Sequence, residues 1–371
     1  MRRLTSLARA IRRHVIYSVV LIALLTLPTC SAQDMSPIDQ LVTSYVSNGR
    51  FMGSVLVARN DALVFSRGYG SANLEWNIPN SPSTKFRIGS LTKQFTAASV
   101  LLLEERGQIR IEDPVRVYLP DAPAAWDNVT VFSLLTHTSG ITEFTRLPSY
   151  RSLKTLPATP EAIVAWFRDE PLDFPTGEQF RYSNSGYVLL GYLIERISGR
   201  SYKQFVEENI FMPLGMKDSG YDSNTIMTNR AAGYTPGVCT SSRTPPCPGP
   251  VNAALIDMSV PYAAGGLYST TLDLWRWERA LFGGKLLSSR SVLKMTTPHM
   301  SNYGFGLVVA GTGAQQVIWH NGGIEGFHTF LAYYPDDNVT IVVQGNLNGP
   351  APDEIGPLLG KLAHGEDVPS H

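Results

Sequence analysis

The fold and the chemistry of this sequence are decided by one stretch, FRIGSLTK, which occupies residues 86–93. Ser90 and Lys93 lie three positions apart at the start of a helical pattern that runs to about Arg106 and ends at Gly107. Side chains at this spacing share one face of a helix, so the serine hydroxyl and the lysine amine can meet within a single turn. The stretch therefore predicts a helix whose first turn carries a paired hydroxyl and amine.

A serine paired with a lysine suits nucleophilic catalysis. A serine hydroxyl is a weak nucleophile and needs a base. A lysine is normally protonated, but burial and the positive end of a helix dipole both lower its pKa, which would let Lys93 accept the proton. Because Ser-x-x-Lys also arises by chance, the alternative is that Ser90 caps the helix and Lys93 is a solvated residue of its first turn.

A second motif, RYSN at residues 181–184, directly precedes another helical pattern. We interpret Tyr182 as a proton relay beside Ser90, and Asn184 as an amide that donates to a substrate carbonyl. The alternative is that Ser183 or Asn184 caps the helix and that Tyr182 is a packing residue.

A third motif, WHNGG at residues 319–323, lies at the end of a strand-like run. Glycine there permits close approach of the backbone to a ligand. The N–H groups of Gly323 and Ser90 could together bind a developing oxyanion. The alternative is an ordinary strand end followed by a glycine-rich turn, with His320 half-buried.

The remaining patterns predict an α/β (α+β) fold. Strand-like segments occur near both ends of the chain, and helical segments fill the middle. We expect one antiparallel sheet, flanked by helices, with an inserted, mainly helical subdomain. In this division the sheet lobe comprises about residues 33–85 and 265–365, and the helical lobe about 86–264. The predicted strands span 51–58, 62–66, 304–309, 315–319, 327–334 and 339–344, and the main predicted helices span 36–46, 90–106, 160–167, 185–198, 201–209, 271–281 and 352–363.

Taken in order, the three motifs resemble those of the serine β-lactamase-related, penicillin-binding-protein-like hydrolases, which include class C β-lactamases, DD-peptidases and family VIII esterases. That family combines Ser-x-x-Lys, Tyr-x-Asn and a late motif that may begin with His. Further segments are similar to it: LLTHTSGI at 134–141, PLGM at 213–216 and GGLYST at 265–270. The resemblance covers about residues 36–350. The alternative fold is that of an α/β-hydrolase esterase, which requires Gly-x-Ser-x-Gly. With Ser90 as the nucleophile, the first glycine of that motif would be residue 88, which is Ile.

The resemblance implies an acyl-enzyme mechanism that needs no metal or cofactor. It assigns catalysis to Ser90, Lys93 and Tyr182, substrate binding to Asn184, His320 and Gly322, and the oxyanion site to the backbone of Ser90 and Gly323. Either Lys93 or Tyr182 could be the base. The implied partner is a small-molecule or peptide substrate. We interpret His137 as a structural residue, because the segment LLTHTSGI that contains it recurs across this family. We expect Glu325 to be solvated.

The late motif bears on the substrate. His320 stands where the usual β-lactamase motif has a lysine, and Asn321 stands where it has a threonine. A mostly neutral histidine holds a substrate carboxylate less well than a permanent cation does. We therefore expect an esterase or a D-Ala-D-Ala-peptidase-like enzyme rather than an efficient β-lactamase. The alternatives are a class C-type β-lactamase and a penicillin-binding sensor that acylates without turnover.

The first 32 residues have the pattern of a secretory signal peptide. Five arginines precede an apolar run from Ile16 to Leu27, and small residues lead to Ala32, after which cleavage is expected. The catalytic domain would then span 33–365, in a periplasmic or secreted protein. The alternative is a retained N-terminal membrane anchor, which is the one route to a membrane contact.

Composition and cysteines add two expectations. The 31 basic and 31 acidic residues balance, and no basic run suggests a nucleic-acid partner. After cleavage the mature chain would keep Cys239 and Cys247, and an even pair in an oxidising compartment suggests a disulfide. Two free thiols are the alternative.

Overall fold

The computed structural model describes residues 36–237 and 249–368, and a six-stranded antiparallel sheet organises them. Its strand order is β10-β11-β12-β13-β1-β2, so the N-terminal hairpin pairs with the last of the four C-terminal strands. This confirms the predicted fold class and the predicted joining of the two chain ends. The strands are β1 (Gly53–Arg59), β2 (Ala62–Tyr69), β3 (Ser71–Asn73), β4 (Ile78–Pro79), β5 (Phe86–Arg87), β6 (Gly220–Tyr221), β7 (Tyr234–Thr235), β8 (Val251–Asn252), β9 (Leu267–Ser269), β10 (Val308–Ala310), β11 (Val317–Ile324), β12 (Phe327–Tyr334) and β13 (Val339–Gly345).

Helices fill the sequence between the two groups of sheet strands, as predicted. Most predicted bounds agree with the structure within a few residues, but the helix predicted over 201–209 is a short α-helix that continues as a π-helical turn, Glu207–Phe211. The α-helices are α1 (Pro37–Ser47), α2 (Thr92–Glu105), α3 (Val131–Leu135), α4 (Tyr150–Leu153), α5 (Pro160–Ala165), α6 (Asn184–Ser198), α7 (Tyr202–Val206), α8 (Met212–Leu214), α9 (Tyr262–Gly265), α10 (Thr271–Phe282), α11 (Ser289–Thr296) and α12 (Ala351–Ala363).

The central strands of the sheet are buried on both faces. Every residue of β13 is buried, and so is every residue of β1 except Arg59. Adjacent residues of a strand point to opposite faces. Phe330 of β12 lies beneath Gly356 of α12, whereas Leu331 belongs to the main core together with Trp277 of α10. The two helices therefore cover opposite faces of the sheet.

One predicted strand, 304–309, is wrong over most of its length. The chain pairs as β10 only at Val308–Ala310, and before it Gly304 N–H donates to the carbonyl of Leu307 at 2.9 Å. Gly306 has a φ of +73°, which an L residue in a strand does not adopt. A turn rather than a strand therefore precedes β10 and brings residue 306 against the backbone of Lys93.

The helix that follows the FRIGSLTK stretch is buried over nearly its whole length. Residues 92–103 of α2 are all buried. It packs against α6 and α9, and the short 3-10 turn Gly89–Leu91 in front of it lies against β11. This arrangement brings the first motif beside the other two, because RYSN leads into α6 and WHNGG belongs to β11.

Several sequence-based expectations are not tested by this fold. The predicted signal peptide, its cleavage near Ala32, and Cys239 and Cys247 lie outside the described residues. The boundaries of the sheet and helical lobes stay predictions. Within residues 36–237 and 249–368, none of the helices has the length and apolar character needed to cross a bilayer.

Candidate active site

Ser90 lies at the point where a tight turn enters the buried helix α2. The turn is the 3-10 segment Gly89–Leu91, and its first residue has a φ of +50°. A side chain at residue 89 would also come within 2.9 Å of the carbonyl oxygen of Gly323 in β11. Glycine is therefore required here on two grounds, and its presence holds the half-buried Ser90 close against β11.

Lys93 is entirely buried, with an exposure of 0%. Its Nζ lies 3.0 Å from Ser90 Oγ, 2.8 Å from Asn184 Oδ1 and 2.8 Å from the carbonyl oxygen of Ala264. Burial lowers the pKa of Lys93 to about 7, although the nearby carboxylate of Glu143 opposes that shift. The alternative in which Lys93 is a solvated surface residue is therefore wrong.

The three neighbours of Lys93 Nζ determine which of them the lone pair of a neutral amine can face. An amide oxygen and a backbone carbonyl oxygen can only accept hydrogen bonds, whereas a serine hydroxyl can also donate one. A neutral amine has two N–H groups for Asn184 and Ala264 and one lone pair for Ser90. In its neutral form, Lys93 could therefore accept the proton of the Ser90 hydroxyl, whereas its protonated form would donate to all three oxygens.

A buried carboxylate, Glu143, fixes the orientation of Asn184 and was missed by the sequence analysis. It accepts hydrogen bonds from Asn184 Nδ2 at 3.1 Å and from the Asn184 backbone N–H at 2.5 Å. Because a carboxylate only accepts, the amide oxygen of Asn184 is the atom that faces Lys93. Glu143 follows the LLTHTSGI segment closely, but nothing local in the sequence marks it as buried. Donation from Asn184 to a substrate carbonyl stays a prediction.

Tyr182 brings its hydroxyl to the same place. Its ring lies 4.8 Å from Lys93 Nζ. Burial raises the pKa of Tyr182 well above its ordinary value, and the adjacent Ser90 hydroxyl opposes that rise only in part. The Tyr182 Oη is buried beside that hydroxyl, and its contact with Ser90 falls short of a hydrogen bond of ordinary geometry. Its phenol therefore keeps its proton at neutral pH and lies next to the Ser90 hydroxyl.

His137 supports the loop that carries Tyr182. Its Nδ1 accepts a hydrogen bond from the backbone N–H of Ser183 at 3.0 Å, and its ring lies 4.3 Å from that of Tyr182. The carbonyl oxygen of His137 also accepts from Arg181 N–H at 2.9 Å. These contacts agree with the structural reading of His137.

His320 of the third motif is buried, not half-buried. Its Nε2 lies 3.1 Å from Tyr303 Oη, and its Nδ1 lies 2.5 Å from the carbonyl oxygen of Asn321. Burial lowers the pKa of His320 to about 4, and the charge of Lys93 acts in the same direction. At neutral pH His320 therefore contributes a neutral ring, without the positive charge of a lysine.

One glycine of β11, Gly322, allows the strand to approach the nucleophile. A Cβ at residue 322 would lie 2.0 Å from the carbonyl oxygen of Ile88 and 2.8 Å from Ser90 N, so only glycine fits. Gly323, by contrast, is exposed. The strand backbone and the backbone of Ser90 thus meet at one side of the cleft, where an oxyanion would have to be bound.

Replacing Gly322 with alanine is expected to lower kcat by about 10²–10³-fold, the usual effect of disturbing an oxyanion site. The new methyl group would push β11 away from the turn at Ser90, and such overpacking also destabilises a fold by about 1–3 kcal/mol. Ester hydrolysis and thermal unfolding measure the two effects. Gly249→Ala is a matched control, because a Cβ there meets open space. Wild-type kcat in Gly322→Ala would show that the close packing of β11 against the backbone of Ser90 is not needed for activity.

A cleft of about 110 Å³ opens above these groups. Ser90, Asn184 and Gly323 line it, together with apolar side chains such as Tyr150 and Ile256. Glu325 at its rim is not simply solvated, as the sequence suggested, because it forms an ion pair with Lys154 at 2.5 Å. Among the described residues, no group of three or more His, Cys, Asp or Glu side chains is arranged to hold a metal ion.

Most of the chain is similar to proteins of one recognised family. Residues 38–364 match the family described as Beta-lactamase. Penicillin-binding protein 4* of Bacillus subtilis (strain 168) is 30% identical over 312 residues, which is 80% of this chain and 68% of that protein.

Two solved structures share the fold. A penicillin binding protein from Bacillus halodurans superposes with a TM-score of 0.76 at 28% identity, over 86% of this chain and 99% of that one. A D-stereospecific amidohydrolase from Streptomyces sp. gives a TM-score of 0.69 at 26% identity, over 83% of this chain and 93% of that one. These similarities agree with the resemblance that the three sequence motifs indicate.

Proposed function

Because this chain belongs to the beta-lactamase family and is a serine hydrolase of that family, we propose that it cleaves esters or D-amino-acid-type amides and peptides through an acyl-enzyme at Ser90. Efficient β-lactam turnover is the second candidate and is not favoured. The observation that carries the proposal is the environment of Lys93, where two acceptor-only oxygens leave the lone pair of a neutral amine for the Ser90 hydroxyl.

The proposed reaction has two halves. In the first, Ser90 Oγ attacks the substrate carbonyl while Lys93 takes its proton, and the N–H groups of Ser90 and Gly323 bind the developing oxyanion. Tyr182 then gives its proton to the leaving oxygen or nitrogen and is reprotonated from Lys93. In the second half, water attacks the acyl-Ser90 ester and the same groups run in reverse.

The pKa values support Lys93 as the base and Tyr182 as the proton donor. The pKa of Lys93, at about 7, leaves a large neutral fraction near neutral pH. The pKa of Tyr182 is raised by burial, so its phenol keeps its proton under the same conditions. A general base works best when its pKa lies near the operating pH, which favours this division of roles.

The neutral state of His320 supports the choice of substrate. The pKa of His320, at about 4, leaves no cation at this position to hold the carboxylate of a β-lactam. The likeness to a D-stereospecific amidohydrolase adds amides to the candidate substrates.

The proposed cellular location is outside the cytoplasm. It follows from the predicted signal peptide at residues 1–32, which lies outside the described residues, and places the catalytic domain over residues 33–365. Fractionation of cells that express the full-length chain tests the location. N-terminal sequencing of the mature protein tests the cleavage site near Ala32.

The function is tested by measuring the hydrolysis of three substrates by the purified mature chain. The substrates are a short p-nitrophenyl ester, a D-phenylalanine amide and a chromogenic cephalosporin. We expect hydrolysis of the ester or the amide, with a kcat/KM that exceeds that for the cephalosporin. Fast turnover of the cephalosporin would make the enzyme a β-lactamase despite His320. A stable adduct at Ser90 without turnover of any substrate would favour the sensor alternative.

A further inference from the structure

A second pocket, of about 350 Å³, adjoins the catalytic cleft. The two share Ile256 and Glu325 in their walls, so the second pocket lies directly beside the cleft that contains Ser90. Arg87 and Arg230 line the second pocket together with the ring of Phe327. Arg87 also belongs to the same FRIGSLTK stretch as the nucleophile. The proposed mechanism uses neither arginine.

The two arginines share a single counter-charge. Arg87 Nε donates to Asp222 Oδ2 at 2.7 Å, and Arg230 Nη2 donates to the same oxygen at 3.2 Å. Asp222 is buried and contacts no other cation among the described residues. The group of three therefore carries one uncompensated positive charge toward the pocket.

Most of the hydrogen-bonding capacity of these arginines is also unused. Each guanidinium offers a planar fork of N–H groups that matches a carboxylate. Within the described residues each is engaged in one hydrogen bond, to Asp222, and Arg87 additionally lies 5.7 Å from the ring centre of Phe327. Their side chains are 15% and 34% exposed, so both are accessible yet partly shielded from water.

The remaining charges around the pocket do not cancel this excess. Glu325 is the one carboxylate among the residues described in the wall, and its charge is offset by Lys154 at 2.5 Å. His320, which occupies the position of a family cation, is neutral. Among the residues that line the second pocket, the arginine pair therefore carries the positive charge that lacks a full counter-charge.

We propose that this pocket binds a carboxylate of the substrate, and that the enzyme prefers anionic esters, amides or peptides. The proposal rests on the proposed function and deepens it. The carboxylate accepts hydrogen bonds from the free N–H groups of Arg87 and Arg230, while the scissile carbonyl lies at Ser90. The carboxylate can belong to the acyl part or to the leaving group.

Two matched substrate pairs test the proposal. In the first pair, the p-nitrophenyl monoester of glutaric acid is compared with that of glutaramic acid, so that a carboxylate replaces an amide in the acyl part. In the second, the acetate esters of 4-hydroxybenzoate and 4-hydroxybenzamide place the same change in the leaving group. Rates are divided by the uncatalysed rates. We expect wild-type kcat/KM to favour the carboxylate by roughly 10–100-fold in at least one pair, the range for charge-assisted hydrogen bonds.

Variants then assign the preference to the pocket. Arg230→Gln is expected to reduce the preference by a similar factor, Arg230→Lys to retain part of it, and added salt to weaken it in the wild type. Arg87→Gln provides a second variant should Arg230→Gln fold poorly. Arg168→Gln is the matched control, because this arginine pairs with Asp121 on another part of the surface.

The two proposals fail in different ways. Ratios near one in both pairs, or a preference that survives in both glutamine variants, would overturn the carboxylate pocket while leaving Ser90-dependent hydrolysis intact. Absence of hydrolysis and of a Ser90 adduct with all four esters and with the D-phenylalanine amide would overturn the proposed function, and the carboxylate pocket with it.

Discussion

Replacement of Ser90 with alanine is expected to lower kcat for a p-nitrophenyl ester by about 10⁶-fold, the loss seen when a serine hydrolase is deprived of its nucleophile. The acyl-enzyme cannot form without Oγ, and Lys93 then has no hydroxyl to deprotonate. Because the proposed oxyanion donors are backbone groups, they remain in the variant. Any residual rate should therefore come from binding and oxyanion stabilisation alone.

The measurement combines steady-state kinetics with mass spectrometry of the enzyme quenched during turnover. Wild type should show an acyl adduct on the peptide that contains Ser90, and the variant should show none. Ser99→Ala is a matched control in the same helix, since Ser99 is buried and, among the residues described, its hydroxyl bonds only to the Phe95 carbonyl at 2.8 Å. Retention of wild-type kcat in Ser90→Ala would mean that the nucleophile lies elsewhere.

The parts of the fold that could be predicted from the sequence are those with local causes. Strand β12 matches its predicted bounds, Phe327–Tyr334, because a run rich in aromatic residues and a following turn are both visible in the sequence. Helix α2 was predicted because its start and its terminal Gly107 are local signals. The turn at 304–307 was missed because its conformation is set by Gly306 packing against the distant backbone of Lys93.

The same division holds for the site. The spacing of Ser90 and Lys93 is local, so their contact at 3.0 Å follows from helix geometry. Two features that define the chemistry are not local: the carbonyl oxygen of Ala264 on Lys93, and the buried carboxylate of Glu143 behind Asn184. No periodicity in the sequence joins these segments. Likewise Glu325 was expected to be solvated, because its partner Lys154 is remote in the chain.

Replacement of Lys93 with methionine is expected to lower kcat by about 10⁴-fold, the upper part of the range for general acid–base catalysis. Methionine fills the buried space left by the lysine chain, but it offers no lone pair that can take the Ser90 proton. In the wild type, kcat/KM should rise with pH through a pKa of about 7, because Lys93 is protonated and inactive below it and neutral above it. The variant should lose this rise along with the rate.

Two further variants make the assignment specific. Lys203→Met removes an exposed lysine and should leave the pH profile unchanged. Glu143→Gln removes the carboxylate that raises the pKa of Lys93, so the rise in kcat/KM should move to lower pH, while one acceptor for Asn184 is kept. A movement to higher pH, or an unaltered rise near pH 7 in Lys93→Met, would show that another group is the base. Of the groups described around Ser90, Tyr182 would then be the candidate, and it would have to act as a phenolate in spite of the burial that raises its pKa.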